Sequence, residues 1–310
     1  MAKNDQQLKA TLAEQLRNYR VNGKPLPGIE NPTALDTLVR QMVESVHRVQ
    51  YVRRILDNKA KITERRANPK DDMFDPIRAA VWHMDRGNID EAFWIVFLFV
   101  VCGKHLKTGY ALLRMVYGAF NDKFIWTWEQ YHQEPNGFSL WLHDRLPAIE
   151  RQGGFHFGNH RRYESIKNLD LILQSYAEWV GPNHSHMELI DAAMHTVGDD
   201  PKMLFAHLYA SMDSVARFGR LGKFDYLTMV GKVGLANIEP DSAYLADNAT
   251  GPARGAALLF GVPGKGAANV RHMDNLVISL DDTLQVGMQV IEDSLCNWQK
   301  SPTEFEAFRG

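Results

Sequence analysis

The sequence predicts an all-α fold, and three observations support that prediction. Apolar residues recur at helical spacing, as in the series that begins with Leu35, Leu38, Val39 and Met42. Residues that commonly start or stop helices flank the apolar segments. Alternating strand patterns joined by Asn-Gly or Asp-Gly turns do not occur.

Six segments carry the helical pattern. The second starts at Asn88, a residue type favoured at helix N-caps, and has two acidic residues in its first turn. The third is either one helix or two helices with a break near Asn121, and the fifth starts after the pair Asp200 and Pro201. The segments are residues 32–56, 88–101, 108–132, 169–181, 200–219 and 273–300.

Length and composition are typical of a globular protein, with 310 residues of which 45% are hydrophobic and 23% charged. We expect an N-terminal extension over residues 1–34, one helical domain over 35–301 with a hairpin-like region at about 203–261, and a tail over 302–310. The apolar run 92–103 is too short to cross a bilayer, and the polar N-terminus lacks a signal sequence. Only two cysteines occur. We therefore expect a cytoplasmic protein without a membrane partner.

Charge is unevenly distributed along the chain. The net charge of −2 argues against indiscriminate coating of nucleic acid. However, residues 48–70 hold eight Lys or Arg against two acids, residues 214–234 hold four against one, and residues 154–167 add a further basic cluster. These clusters favour a localised contact with a polyanion, and ordinary solvated surface is the alternative.

Several common catalytic motifs are absent from the sequence. The P-loop, the dinucleotide-binding glycine motif, H-E-x-x-H, paired C-x-x-C and G-x-S-x-G do not occur. The "NHSH" segment at 183–186 is a weak metal signal by itself, and a loop or helix-cap role is the favoured alternative. We predict neither a cofactor nor a metal.

A glycine turn among basic residues is the first candidate for a nucleic-acid contact. In "ARFGRLGK", the stretch 216–219 is predicted to close one helix and Gly222 to open the next, while Arg217, Arg220 and Lys223 supply positive charge. Free backbone N–H groups and the helix dipole at such a turn bind phosphate. The pattern resembles the helix-hairpin-helix of DNA glycosylases, although Gly219 and Gly222 are spaced G-x-x-G and the usual preceding proline is missing.

A carboxylate follows this turn at a sequence spacing similar to that in known glycosylases. Asp241 lies eighteen residues after Lys223, and helix-hairpin-helix glycosylases have an essential Asp at a similar spacing. Cleavage of an N-glycosidic bond builds positive charge on the sugar, which a carboxylate stabilises. Asp241 is therefore the predicted catalytic carboxylate, and Glu239 is the second candidate for this role. Lys223 is a candidate nucleophile that would form a Schiff base with the opened sugar. The alternatives are that Asp241 caps a helix and that Lys223 only contacts phosphate.

Several stretches together resemble a known family. They are "VESVHRVQYVRRI", "FDPIRAAVWHMDRGNIDEAFWIVFLFVVCGKHLKTGY", "FGNHRRYESI", "DNATGPARGAALLFG" and "QVIEDSLCNWQK". This combination is similar to the α-glutamyl/putrescinyl thymine pyrophosphorylase family, clade 3, which is related to the helical domain of 5-hydroxymethyl-deoxyuridine DNA kinases. A phage-defence DNA glycosylase that excises glucosylated 5-hydroxymethylcytosine is also similar. Because the P-loop is missing, the kinase activity is not implied.

The resemblance implies a glycosylase-like helical fold whose partner is double-stranded DNA with hypermodified bases. Two functions follow from it. One is a glycosylase that everts and excises a modified pyrimidine. The other is a transferase that attaches an amino acid or amine to an activated 5-hydroxymethyluracil. A non-catalytic reader of modified DNA is a third possibility. The predicted substrate-pocket residues are Asn121, His160, Arg161, Arg254, Glu292 and Asp293.

Overall fold

A computed structural model describes residues 2–134, 136–247, 249–263 and 266–308. Within these ranges the regular secondary structure is helical, apart from two isolated β-bridges, and the all-α prediction is confirmed. The helix-hairpin-helix glycosylase-like arrangement stays a prediction. The α-helices are α1 (Ala2–Asn18), α2 (Pro32–Asp57), α3 (Pro76–Met84), α4 (Ile89–Cys102), α5 (Ala111–Tyr117), α6 (Trp128–Gln133), α7 (Gly137–Gln152), α8 (Leu169–Val180), α9 (His186–Val197), α10 (Pro201–Ser211), α11 (Arg220–Val233), α12 (Thr250–Phe260), α13 (Ala267–Leu284) and α14 (Met288–Trp298).

Two compact units make up the chain. The first unit comprises residues 1–51 and 240–309, and the second comprises residues 52–239. Helix α2 continues from one unit into the other. The domain boundaries that the sequence suggests, 1–34, 35–301 and 302–310, stay a prediction.

The first unit has its own apolar core, built from α1, most of α2, and α12 to α14. Leu12 and Leu16 of α1 are buried in it, and the indole Nε1 of Trp298 donates a hydrogen bond to the Ala34 carbonyl oxygen at 3.0 Å. Helices α12 and α14 approach closely at Gly255. A Cβ atom at this position would lie only 2.3 Å from the Leu295 carbonyl oxygen. The glycines of "TGPARGA" therefore serve helix packing.

The final helical segment is broken, so the prediction of one helix over residues 273–300 is wrong. Gln285 adopts a left-handed conformation with φ of 52° and ends α13. The side chain of Asp281 accepts hydrogen bonds from the backbone N–H groups of Val286 and Gly287, at 3.1 and 2.8 Å. A carboxylate that binds the backbone locally competes with helix continuation, and α14 starts at Met288.

The second unit is organised around α4. This helix is apolar on all sides, as expected for a helix that is covered by neighbours, and it packs against α3 and α11. Aromatic rings continue the core outward, with Phe97 stacked on Tyr176 of α8 at a centroid separation of 3.6 Å. Burial raises the pKa of the Cys102 thiol to about 12, so this cysteine is an inert part of the core. No helix within the described ranges has the length and apolar character needed to cross a bilayer.

Candidate functional site

The N-terminus of α4 carries two adjacent buried or half-buried carboxylates that organise the second unit. Asp90 Oδ1 accepts hydrogen bonds from the backbone N–H of His186 and contacts its Nδ1, both at 2.7 Å. Glu91 accepts the backbone N–H of Trp128 at 2.7 Å and the hydroxyl of Tyr117. The two acids therefore fix the starts of α9 and α6, which flank the cavity described below.

His186 lies in a buried chain of polar groups. Its Nε2 is 2.7 Å from the Tyr176 hydroxyl, which is in turn 2.8 Å from the hydroxyl of Tyr226 on α11. The imidazole stacks on Phe93 at 4.7 Å. Burial lowers the pKa of His186, and Asp90 only partly opposes this effect, so the ring is neutral near pH 7.

Burial favours the neutral form of Glu91 as well. Its side chain is buried, and burial raises the pKa of Glu91 to about 7, although the hydrogen bonds from Tyr117 and Trp128 act against this shift. A carboxyl group that titrates near neutral pH in a core is unusual, and its two donors keep it hydrogen-bonded. Glu91 is thus a titratable group in direct contact with the start of α6.

A cavity of about 470 Å³ opens beside these helices, within the volume range of small-molecule sites. Helix α6, the start of α7, one face of α8 and the segment 181–184 form its walls. We name it the acidic cavity, because Glu134, Asp170 and Glu178 are its charged lining residues and its described lining contains no Lys or Arg. The other lining residues are Tyr131, His132, Asn136, Phe138, Ser139, Gln174, Ala177, Gly181, Pro182 and His184.

Aromatic rings and carboxylates line the acidic cavity together. Burial raises the pKa of the Tyr131 hydroxyl, and the nearby charges of Asp170 and Glu178 raise it further. The rings of His132 and His184 stack with their centroids 4.5 Å apart, and the indole Nε1 of Trp128 donates a hydrogen bond to the His184 carbonyl oxygen at 2.7 Å. The cavity therefore suits a flat ligand that is neutral or develops positive charge.

The carboxylate of Asp170 is the most firmly placed of the three. It lies in the first turn of α8, where the helix dipole favours negative charge. The backbone N–H of Leu171 donates to it at 2.8 Å, and the hydroxyl of Ser139 donates at 3.3 Å. Asp170 is only partly exposed, whereas Glu134 and Glu178 are exposed.

A second feature of the same unit is a basic surface formed by residues 160–162 and 217–220. Nη1 of Arg161 donates to the Arg217 carbonyl oxygen at 3.0 Å, and Nε of Arg217 donates to Glu164 at 2.9 Å. His160 Nδ1 contacts Asp225 of α11 at 2.9 Å. The structure thus brings together His160 and Arg161, predicted for the pocket, and Arg217, predicted for DNA binding.

The buried donors of Arg161 distinguish this surface from an ordinary cluster of charges. The Arg161 side chain is only 10% exposed, and its Nη2 forms an ion pair with Glu164 at 3.6 Å, yet neither Nε nor Nη2 makes a hydrogen bond with any described residue. Close by, Gly219 is the exposed N-cap of α11 and provides no capping side chain. A guanidinium with donors that lack a hydrogen bond, beside an uncapped helix start, is suited to a phosphate group.

Helix α11 begins differently from the sequence-based expectation. It starts at Arg220, so Gly222 lies within the first turn and does not open the helix. A Cβ atom at Gly222 would lie 2.9 Å from the Phe218 ring, which shows that this glycine is needed for packing. The preceding helix α10 ends at Ser211 and is followed by a short 3-10 turn, so residues 216–219 do not close a helix.

Lys223 is buried on α11, where its ammonium group lies between two partners. Nζ donates to Asp213 at 2.5 Å and sits 3.9 Å from the centroid of the Tyr209 ring. Both the carboxylate and the ring face are therefore in contact with the Lys223 amine. The predicted roles of Lys223 as nucleophile and as DNA contact stay predictions.

The two predicted acids near residue 240 lie in different units. Glu239 ends the second unit, where its backbone N–H donates to the Pro201 carbonyl oxygen at 3.2 Å and its exposed side chain approaches Lys202 at 3.9 Å. Asp241 belongs to the first unit and accepts a hydrogen bond from the Tyr244 hydroxyl at 2.5 Å. Their catalytic roles stay predictions.

The remaining predicted pocket residues are distributed over both units. Asn121 is exposed and lines a separate surface cavity of about 380 Å³ in the second unit. Arg254 lies on an exposed face of α12 in the first unit. Glu292 is buried in α14, and the neighbouring Asp293 accepts hydrogen bonds from Ser45 at 2.8 Å and Arg48 at 3.3 Å. None of these four lines the acidic cavity.

Sequence reasoning missed the acidic cavity and the buried chain behind it. A usable signal was the pair Asp90 and Glu91, because two acids that open an otherwise apolar helix require buried partners. The "NHSH" segment contributes a helix cap through Ser185 and a buried ring through His186. Among the described residues, no group of three potential ligands is arranged to hold a metal ion.

Comparison with known proteins places these features in a family. Neither the curated proteins nor the solved structures that were searched gave a match. A family model for alpha-glutamyl/putrescinyl thymine pyrophosphorylase clade 3 matches residues 33–310, which include the acidic cavity and the basic surface. The family is enzymatic and is named for thymine modification. The chain therefore belongs to the alpha-glutamyl/putrescinyl thymine pyrophosphorylase family, clade 3.

Proposed function

We propose that this protein is a DNA glycosylase that excises a hypermodified pyrimidine, such as glucosylated 5-hydroxymethylcytosine, from phage DNA in the cytoplasm and leaves an abasic site. The observation that carries the proposal is the acidic cavity, whose walls combine aromatic rings with carboxylates as the charged groups. An everted base is flat and uncharged, and its stacking needs aromatic surface. Departure of the base leaves positive charge on the sugar, and a carboxylate stabilises that charge.

Within this proposal Asp170 faces the sugar, and Tyr131 and Phe138 contact the base. Asp170 is positioned by the start of α8 and by the hydrogen bond from the backbone N–H of Leu171. A water molecule then completes hydrolysis at the sugar carbon. Asp241 and Glu239 remain alternative candidates for the carboxylate, and substitutions can rank the three.

Phosphates of the DNA are bound at the basic surface. The unsatisfied donors of Arg161 and the uncapped start of α11 at Gly219 support this part of the proposal. Arg217 and Arg220 add exposed or half-exposed charge beside them.

Removing a charge from the basic surface should weaken DNA binding and reduce its salt dependence. For Arg217→Gln and Arg220→Gln we expect the slope of log K against log salt to fall by about one for each phosphate that the variant no longer binds. Fluorescence anisotropy with a duplex at several salt concentrations measures this slope. Arg20→Gln, a change in the first unit, serves as the control. Unchanged slopes in both variants would contradict the assignment of this surface to phosphates.

The proposed activity is tested by looking for abasic sites. The protein is incubated with duplexes that carry 5-hydroxymethylpyrimidines bearing sugar, amino-acid or amine adducts, and with unmodified duplexes of the same sequence. We expect alkali-labile sites at the modified positions only. If none of the modified duplexes gains such sites, the glycosylase proposal is wrong.

A transferase is the second candidate, and the same carboxylates favour it. Glu134, Asp170 and Glu178 could bind an ammonium group and position it near an activated 5-methylene carbon. However, the leaving group named by the family is pyrophosphate, and the described lining of the acidic cavity provides no Lys or Arg to stabilise it. The glycosylase is therefore the function that the geometry supports better.

Borohydride trapping tests the predicted role of Lys223 as a nucleophile. Because the amine is buried and paired with Asp213, we expect no covalent adduct when the protein reacts with modified DNA in the presence of borohydride. An enzyme known to form Schiff bases serves as the positive control. An adduct that disappears in Lys223→Arg would instead assign the nucleophile to this residue.

A further inference from the structure

The loop that follows α4 carries an exposed apolar side chain between two lysines. Leu106 is 73% exposed, although a leucine gains stability when it is buried. Its neighbours Lys104 and Lys107 are exposed and form no salt bridge with any described residue. Residues 103–109 contain no acid. This loop therefore presents positive charge and an apolar tip to the solvent.

A second loop with the same character packs beside the first. A Cβ atom at Gly103 would lie 2.9 Å from the Cα of Gly158, and the Gly158 N–H donates to the Cys102 carbonyl oxygen at 2.8 Å. The rings of His105 and His156 are 5.0 Å apart. The two loops are thus held together by close backbone contact, which only glycine permits at this separation.

Tyr163 is the most exposed large apolar residue of the second loop, with 85% of its surface accessible. Arg162 holds it from one side, with the guanidinium 4.6 Å from the ring centroid and Nη2 donating to the hydroxyl at 2.5 Å. Tyr163 contributes little to the core, yet its side chain is fixed by contacts with Arg162. Such a residue is arranged for contact with a partner.

The partner that this surface fits is a DNA duplex. Tyr163 directly follows residues 160–162 of the basic surface, where Nε and Nη2 of Arg161 make no hydrogen bond with any described residue. The positive charges of both loops complement phosphates, and an exposed aromatic ring beside them can enter a base step. An acidic protein surface would match the charges alone, whereas a base step also offers the Tyr163 ring a flat face to stack on.

We propose that Tyr163 is the wedge residue, which enters the duplex and fills the space that an everted nucleotide leaves, while Lys104, Lys107 and Arg162 contact the flanking phosphates. This inference rests on the proposed function, because eversion is needed only if the base is processed outside the stack. It adds a residue that acts on the duplex and does not touch the excised base.

A comparison of duplex and single-stranded substrates tests the wedge. For Tyr163→Ala we expect base release from duplex DNA to fall about 10-fold or more, because the variant lacks the stacking interaction that holds the duplex open. Release from a single strand of the same sequence should be unchanged, since no duplex has to be opened. Tyr163→Trp should restore duplex activity.

One exposed leucine provides the control, and a second tests a rival position for the wedge. Leu140→Ala removes a side chain that is 71% exposed on α7 and should leave both activities unchanged. Leu106→Ala tests the neighbouring tip of the same surface. If Leu106→Ala loses duplex activity and Tyr163→Ala does not, the assignment of the wedge to Tyr163 is overturned. Equal losses on duplex and single strand in Tyr163→Ala would also overturn it.

A binding measurement separates failure of the wedge from failure of the proposed function. A duplex with 2-aminopurine next to the modified base reports unstacking without requiring catalysis. We expect the wild-type protein to raise the fluorescence of this duplex and Tyr163→Ala to raise it much less at saturating protein. If the fluorescence rises and depends on Tyr163 but no base is released, the assignment of the wedge is supported and the glycosylase proposal fails. If base is released and the fluorescence change does not depend on Tyr163, the wedge fails alone.

Discussion

Asp170→Asn should lower the rate of base release by about 100-fold or more, because this change removes the charge that stabilises the developing sugar cation. Asparagine keeps the shape of the side chain and can still accept the hydrogen bond from the Leu171 N–H. The loss should therefore appear in the rate of the chemical step, with little change in DNA affinity. Single-turnover release, measured with enzyme in excess over a modified duplex, gives this rate directly.

Variants of the other carboxylates make the test specific. Glu178→Gln removes an exposed charge from the same cavity and should reduce the rate much less. Asp241→Asn tests the carboxylate that the sequence favours. A large loss in Asp241→Asn with full activity in Asp170→Asn would move catalysis to the first unit and contradict the assignment to the acidic cavity.

Glu91 should make the stability of the second unit fall as the pH rises from about 4.5 to about 7. Its pKa is raised from an ordinary 4.5 to about 7, so in this interval the folded state keeps a proton that the unfolded chain has released. The free energy of unfolding therefore decreases with rising pH. The pKa shift corresponds to a loss of about 3 kcal/mol in the free energy of unfolding. This loss is complete above pH 7 and absent below pH 4.5.

Glu91→Gln removes this titration and isolates its contribution. Relative to the variant, the wild-type protein should lose about 3 kcal/mol of stability between pH 4.5 and 8. Six of the seven tryptophans lie in the second unit, so urea unfolding followed by tryptophan fluorescence reports mainly on that unit. Glu150→Gln, a change at an exposed carboxylate, is the control. A constant difference between wild type and Glu91→Gln across this range would contradict the buried titration.

The sequence anticipates those parts of the fold that depend on local patterns. Helical periodicity and start signals predict the all-α class, and Asp200 does cap α10 by accepting the backbone N–H groups of Lys202 and Met203. The apolar run after Asn88 is the buried helix α4. The break at Gln285 was not predictable from periodicity, because it depends on the Asp281 carboxylate binding the backbone ahead of it.

The candidate site was predictable only in part, for a related reason. The basic segments around Arg161 and Arg217 stand out by charge alone, and the structure joins them through a hydrogen bond. The acidic cavity does not stand out, because Glu134, which follows α6, meets Asp170 and Glu178 of α8 only after the helices have packed. Charge clustering along the chain finds surfaces, whereas cavities are products of tertiary packing.

Analysis of both reaction products by mass spectrometry tests the central claim most directly. A duplex with one adduct-bearing 5-hydroxymethylpyrimidine is treated with the protein, with and without free amines, and the small molecules and the DNA are analysed separately. We expect the intact modified base among the small molecules and an abasic position in the DNA, with no dependence on amine. A heavier base that remains attached to the DNA would contradict base excision and identify the protein as a transferase.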